Sequence, residues 1–276
     1  MVYFGMENND WRWIFLGLLL LTAAGGIWLF RDALFPAAAP VAAPPPAGQT
    51  RAEPAGPALE PVYPVAPIEK RTAGGKLVPL PPLDESDAYF ELALLELFGP
   101  ELKEQLVSEL LIERTVGTLD NLGRERVPER MRPVGRLGDG FEVDGTGGDA
   151  GYMISERNYV RYDDAVRMLE RASAEELTDT YRRFYPLLQE AYTLLGYPER
   201  HFNDRLVAVI DTLLATPEPA GPVELVRDHV LYEYRDPELA ALTAGQKLLI
   251  RMGNDNARRV KAVLRAWREQ ITELEP

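Results

Sequence analysis

The hydrophobic positions of this chain follow two different patterns. Residues 13–30, WIFLGLLLLTAAGGIWLF, contain no charged side chain, whereas apolar residues recur at helical spacing from Leu83 onwards. Eighteen helical residues measure about 27 Å, close to the roughly 30 Å thickness of a hydrocarbon core. Trp13 and Trp28 bracket the run, as expected for indole rings at the membrane–water boundary. We therefore predict a single transmembrane helix over residues 13–30.

The flanks of this helix bear on its orientation. Residues 1–12 form an N-terminal tail, and Arg12 and Arg31 place one basic residue on each side, so the positive-inside count is almost tied. Because a large domain follows the helix, we expect the N-terminus inside and the C-terminal domain outside. A cleaved signal peptide is the alternative, since residues 22–24 are small, but the apolar run continues to Phe30.

Residues 31–82 have the composition of a linker. Positions 36–82 hold 13 proline and 11 alanine residues, in stretches such as APVAAPPPAG and LEPVYPVAPIE. Proline fixes φ and removes a backbone donor, so this composition predicts a disordered Pro/Ala-rich linker. A proline-rich ligand for a binding partner is the alternative interpretation.

Residues 83–276 are predicted to form a multi-helix domain. One helix ends at Gly99, and the next is expected to run from Glu101 to about Leu122. The sequence S-A-E-E at residues 173–176 is a capping box that opens a long helix.

Two more helices are predicted near the C-terminus. Thr243 or Ala244 starts the first, which stops at Gly253, and Asn254 caps the second. The second helix carries an apolar stripe formed by Val260, Leu264, Trp267 and Ile271. A DNA-reading helix-turn-helix would use this arginine-rich helix, but a helical hairpin with a solvated basic face suits an acidic chain better.

Short β-favouring segments interrupt the helices. FEVD and GYMIS flank a glycine-rich stretch at 145–150, and VELVR (223–227) precedes VLYEY (230–234). The fold class is therefore mainly α: an N-terminal transmembrane helix, a disordered linker, and a C-terminal multi-helix domain with one or two small β-hairpins.

Charge and composition exclude several classes of function. The net charge is −13, and residues 1–76 hold equal numbers of acids and bases, so the whole excess lies in 77–276. Nucleic acid is not an expected partner, because phosphate binding needs clustered basic residues. The absence of cysteine excludes disulfides and thiolate metal sites. We predict no cofactor and no metal.

Three motifs suggest chemistry only weakly. Residues 145–150 match a dinucleotide-binding glycine pattern but lie between strands, without the helix that would bind a pyrophosphate. Asp139, Asp144 and Asp149 could bind Ca²⁺, although their spacing fits no standard loop. Residues 201–205 combine His, Asn, Asp and Arg, but no nucleophile motif accompanies them.

Tyrosine and arginine alternate on the predicted helices. Nine of the 12 tyrosines fall within residues 152–234, and such mixtures are enriched at binding hot spots. Several of these tyrosines also lie on apolar stripes, so core packing is the alternative interpretation. The candidate partner-binding residues are Tyr159, Arg161, Tyr162, Tyr181, Arg182 and Tyr185.

Four long segments carry a family resemblance: ISERNYVRYDDAVRMLE, YRRFYPLLQEAYTLLGYP, HFNDRLVAVIDTLLATPEP and AGQKLLIRMGNDNARRVKAVLR. Together they resemble the domain-of-unknown-function family numbered 3014, over roughly residues 83–272. The resemblance implies a bacterial envelope protein. Together with the anchor predicted above, it leads us to expect a single-pass inner-membrane location with a periplasmic domain. It implies no activity and no catalytic residues.

These observations favour an interaction or scaffold module that is displayed on a flexible tether. Its partners would be the lipid bilayer, through residues 13–30, and an unidentified envelope protein. A membrane-tethered periplasmic chaperone and a cell-wall-active enzyme that uses acidic residues are the alternatives.

Overall fold

Helices dominate the part of the chain that the computed structural model describes, which is residues 60–71, 77–134, 141–145, 151–227 and 232–274. The α-helices are α1 (Asp87–Phe98), α2 (Leu111–Leu122), α3 (Arg157–Val160), α4 (Asp163–Leu169), α5 (Ala174–Leu194), α6 (Phe202–Leu214), α7 (Pro237–Ala240), α8 (Ala244–Arg251) and α9 (Gly253–Thr272). The strands are β1 (Lys70–Arg71), β2 (Leu77–Val78), β3 (Val143–Asp144), β4 (Tyr152–Ile154), β5 (Glu224–Val226) and β6 (Glu233–Tyr234). The predicted mainly helical class is thus confirmed for the C-terminal domain.

The predicted membrane segment belongs to the part of the chain before residue 60. The tail at 1–12, the apolar run at 13–30 and linker residues 31–59 lie outside the described residues. Among the residues that are described, no helix combines the length and apolar character needed to cross a bilayer.

Helix α9 lies at the centre of the main core. It packs against α5, α6, α4 and α8, and α2 packs against α5 and α6. All four residues of the predicted apolar stripe on α9 are at most 2% exposed. That stripe is therefore confirmed as a core face.

The ends of two core helices are set by local capping. Ser173 and Glu176 exchange side-chain and backbone hydrogen bonds at the start of α5, as the sequence predicted. Thr243 and Gln246 form a second capping box at the start of α8. Helix α9 begins one residue before the predicted cap, at Gly253.

The two predicted hairpins form one sheet. Its strand order is β3-β4-β5-β6, with every pair antiparallel, and the central pair aligns Tyr152 with Leu225. The buried face of this sheet, which includes Ile154 and Tyr234, packs against Ile250 of α8. A second, two-stranded sheet joins β1 to β2.

The single helix expected from Glu101 to about Leu122 is wrong. A 3-10 helix spans Pro100–Glu104, Leu106 then bridges to Val134, and α2 starts only at Leu111. The Asp87 carboxylate accepts the backbone N–H groups of Leu110 and Leu111, at 2.9 and 2.7 Å. A capping side chain from α1 thus sets the start of α2, which no pattern near residue 110 indicates.

Candidate functional site

The six candidate residues lie in two groups at opposite ends of α9. The ring of Tyr159 contacts Gly253, the first residue of α9. The ring centroid of Tyr181 lies 5.6 Å from that of Trp267. Trp267 lies fourteen positions after Gly253 on α9, which corresponds to about 21 Å along the helix. The candidate residues therefore belong to two surfaces rather than one groove.

A large open cleft surrounds Tyr159. Strand β4, helix α3, the loop at 219–223 and the start of α9 form its walls, and its volume is about 1010 Å³. Charged side chains of both signs line it, including Asp144, Arg157 and Asp255. Val160, at its edge, is 63% exposed. We call this surface the cleft.

The floor of the cleft is held by Tyr159 and Asn256. Gly253 has a φ of +80°, and a Cβ at that position would lie 2.8 Å from the Tyr159 ring. The buried Asn256 amide donates to the Tyr159 carbonyl at 3.0 Å and to an Asp163 carboxylate oxygen at 2.9 Å. Burial, with a contribution from the charge of Glu156, raises the pKa of Tyr159. These contacts fix α3 against α9.

Arg161 and Tyr162 follow α3 in the chain but do not line the cleft. Tyr162 is buried, and burial raises the pKa of its phenol. The Arg161 guanidinium is 13% exposed and lies 3.9 Å from the Glu142 carboxylate. Only Tyr159 of this group of three therefore lines the cleft.

The second group borders a segment that the sequence assigns to the linker. Backbone N–H groups of Val62 and Tyr63 donate to the Asp204 carboxylate at 3.1 and 2.9 Å. The Asn203 amide donates to the Tyr63 carbonyl at 3.0 Å, and Arg182 Nε donates to the Ala66 carbonyl at 3.0 Å. We call residues 60–66 the strap, and the surface formed by Arg182, Asn203 and Asp204 the strap groove.

Tyr181 and Tyr185 lie beneath the strap groove. Tyr181 is 6% exposed, and its hydroxyl donates to Asn203 Oδ1 at 3.0 Å. Burial raises the pKa of Tyr181 well above its usual value and that of Tyr185 to about 12. Of the three candidate residues on α5, Arg182 contacts the strap directly and Tyr181 acts through Asn203.

Residues 201–205 have structural contacts instead of a catalytic arrangement. Asn203 and Asp204 hold the strap, and Arg205 donates to the buried Asp120 carboxylate at 2.8 Å. The sequence singled out this cluster but not its partner, because the strap lies about 140 positions earlier in the chain. The sequence feature that could have indicated this contact is the run of polar residues at the start of α6, which is otherwise rich in apolar residues.

The basic residues of α9 are largely neutralised within the domain. Arg258 pairs with Glu218, and Arg259 pairs with Glu170. The Lys261 ammonium, only 8% exposed, donates to the Thr216 carbonyl at 2.6 Å. Arg258 and Arg265 are exposed, as expected for a solvated face, while the ion pairs of this face also bind the loop after α6 and the end of α4.

The candidate calcium ligands do not form a described site. Asp139 and Asp149 lie outside the described residues. Elsewhere in the described ranges, no three His, Cys, Asp or Glu side chains are grouped closely enough to hold a metal ion.

The described residues form a mainly helical domain with a small sheet, and the candidate residues lie at two of its surfaces, the cleft and the strap groove. Residues 111–268 match the family described as "Protein of unknown function (DUF3014)". Because this match covers more than half of the chain, the protein belongs to that family, as its resemblance predicted. No curated protein and no solved structure matches the chain.

Proposed function

We propose that this chain is a membrane-anchored protein of the bacterial envelope, whose helical domain binds a protein partner through the cleft. The apolar run at 13–30 and the proline-rich segment after it support the anchor and the tether. The cleft supports the binding role.

The size and lining of the cleft carry this proposal. A volume of about 1010 Å³ is at the upper end of the range for small-molecule sites, roughly 300–1,000 Å³, and such sites usually enclose their ligand. This cleft is open, and its lining mixes Tyr159 and Val160 with Arg and Asp side chains. Tyrosine and arginine are enriched at the centres of protein interfaces. A polypeptide segment is therefore the ligand that fits best.

The enzyme alternative would need a functional carboxyl pair in the cleft. Burial raises the pKa of Glu113, which is the behaviour of a general acid. Glu113 lies on α2, however, and does not line the cleft. Of the carboxylates that do line it, Asp163 accepts from the Asn256 amide and Asp255 pairs with Arg258.

A reporter that is active only outside the cytoplasm, fused after Pro276, tests the location. We expect activity, because the domain follows the proposed anchor. A silent reporter on an intact protein would place the domain in the cytoplasm and refute the envelope location.

A photo-crosslinking amino acid at Val160 tests the cleft in cells. The matched control is Leu194, which is 71% exposed but does not line the cleft. We expect a discrete crosslinked partner from position 160 and not from position 194. Equal crosslinking from both positions would contradict a specific site in the cleft.

A further inference from the structure

We propose that the strap groove is a binding site for proline-containing segments of another protein, and that the strap occupies it in cis until such a segment displaces it. This proposal concerns a surface other than the cleft and does not depend on it. It rests on the way in which the strap is recognised, on the partners that Asn203 has besides the strap, and on the exposure of the strap at Val62.

The groove recognises the backbone of the strap. The carboxylate of Asp204 accepts two successive N–H groups, and Asn203 and Arg182 donate to two carbonyl groups. All four hydrogen bonds join a groove side chain to a strap main-chain atom. A segment of another chain that presents the same two donors and two acceptors would satisfy the same side chains.

One side chain of the strap groove, Asn203, has hydrogen-bond partners besides the strap. Asn203 is fully buried, and besides its bond to the strap its amide donates to the Ile271 carbonyl at 3.0 Å. Its Oδ1 accepts the Tyr181 hydroxyl. Since these two bonds remain when the strap leaves, the side chain stays oriented and hydrogen-bonded. Asn203 would therefore keep its orientation in the vacated groove.

The strap itself is held much less firmly than the groove. Val62 is 70% exposed and its bond to Asp204 is open to solvent, whereas the other three strap bonds are partly buried. Tyr63 and Val65 are only partly buried against the core, and the strap has no regular secondary structure. Few buried apolar contacts and solvent-exposed hydrogen bonds are the properties of segments that open locally. The departure of the strap would thus uncover only the part of the main core that lies under Tyr63 and Val65.

The prolines of the strap define the chemistry of the competing segment. Pro61 and Pro64 flank the two residues whose N–H groups Asp204 accepts. Proline restricts its own φ and the conformation of the preceding residue, which lowers the entropy lost on binding. The partner segment should therefore carry two non-proline residues between prolines, with an aromatic second residue and an aliphatic residue after the next proline.

A fluorescent peptide of residues 58–68 is the probe, added to the full-length protein in detergent micelles. Replacing Tyr63 and Val65 together with Ala should free the groove. We expect this opened variant to bind the peptide at least about tenfold more tightly than the wild type, because a cis competitor reduces the apparent affinity. Adding Asp204→Ala should weaken binding by about tenfold or more, whereas Glu104→Ala, the loss of an exposed carboxylate elsewhere, should not.

Amide hydrogen exchange tests displacement of the strap in the wild-type protein, without any substitution. Excess peptide should accelerate exchange of the Val62 and Tyr63 amides by displacing the strap. If exchange stays constant and a folded opened variant binds no peptide, the strap is a permanent part of the fold and the proposal fails. It fails equally if Asp204→Ala leaves binding unchanged, or if opened chains pair with one another and ignore the peptide.

Discussion

Two buried polar groups in the core, Trp267 Nε1 and the Tyr181 hydroxyl, differ in whether an acceptor lies within reach. Trp267 is 1% exposed, and its Nε1–H finds no acceptor among the described residues. The Tyr181 hydroxyl donates to Asn203. An unsatisfied buried donor costs about 1–3 kcal/mol of stability, so the two aromatic residues should respond differently to replacement by Phe.

We predict that Trp267→Phe changes the free energy of unfolding by less than about 1 kcal/mol, because removing the unpaired N–H offsets the lost ring volume. Tyr181→Phe should cost about 1–3 kcal/mol, because it leaves Asn203 Oδ1 without its donor. Urea unfolding of the two variants measures both values. A larger loss for Trp267→Phe than for Tyr181→Phe would contradict this assignment.

Buried tyrosines also predict an alkaline transition. Burial raises the pKa of Tyr185 to about 12 and also raises the pKa of Tyr162. Unfolded tyrosines lose their protons near pH 10, so above that pH the unfolded state binds fewer protons than the folded state. Stability should therefore be complete below about pH 10 and fall as the pH approaches about 12. Urea unfolding across this range should show a shallower decline for Tyr185→Phe.

At the scale of single elements, the sequence predicts those helices whose ends are set by neighbouring residues. Ser173 and Glu176 lie three positions apart and fix the start of α5. The start of α2 depends on Asp87, 24 positions before Leu111, and was missed. The strap was missed for the same reason, since proline content describes local conformation and gives no information on a partner in α6.

The candidate sites show the same limit: local sequence selects residues but does not show which of them meet in the fold. Local alternation of tyrosine and arginine selected Tyr159, which lies in the cleft, and Arg182, which lies in the strap groove. It could not separate them from Tyr162, which is buried, because burial depends on tertiary packing, which this alternation does not encode. Most of the cleft comes from segments that meet only in the fold, such as the loop at 219–223 and the start of α9.

Two positive-φ residues at helix starts give opposite predictions. Leu110 has a φ of 54° and is 55% exposed, so Leu110→Gly should stabilise the protein by about 0.5 kcal/mol by relieving left-handed strain. Gly253→Ala should cost more than about 2 kcal/mol, because it adds that strain and meets the Tyr159 ring. Thermal or urea unfolding compares them, and a destabilised Leu110→Gly would refute the strain argument.

At the scale of the whole molecule, the fold extends beyond the family match. The match begins at residue 111, but Phe90, Leu94 and Phe98 of α1 are at most 5% exposed and belong to the main core. The ring of Phe90 packs edge-on against Phe184 of α5, with 5.0 Å between centroids. Helix α1 therefore completes the core that the matched region begins.

Truncation tests this boundary. A chain that begins at residue 111 should show no cooperative unfolding, because losing a buried Phe alone costs about 3–5 kcal/mol. A chain that begins at residue 83 should unfold cooperatively but less stably than one that begins at residue 60, which keeps the strap. Cooperative unfolding of the shortest chain would show that α1 is dispensable.

The position of the strap also determines how the domain responds to force. A pull on the chain before Glu60 reaches the folded domain at Asp204 and Asn203, at the start of α6, rather than at Leu83. The strap bonds lie in series with such a pull and are loaded before α1. Releasing residues 60–82 would add up to about 75 Å of chain. The strap would then detach first under tension, and the connection to the domain would lengthen while the core stays folded.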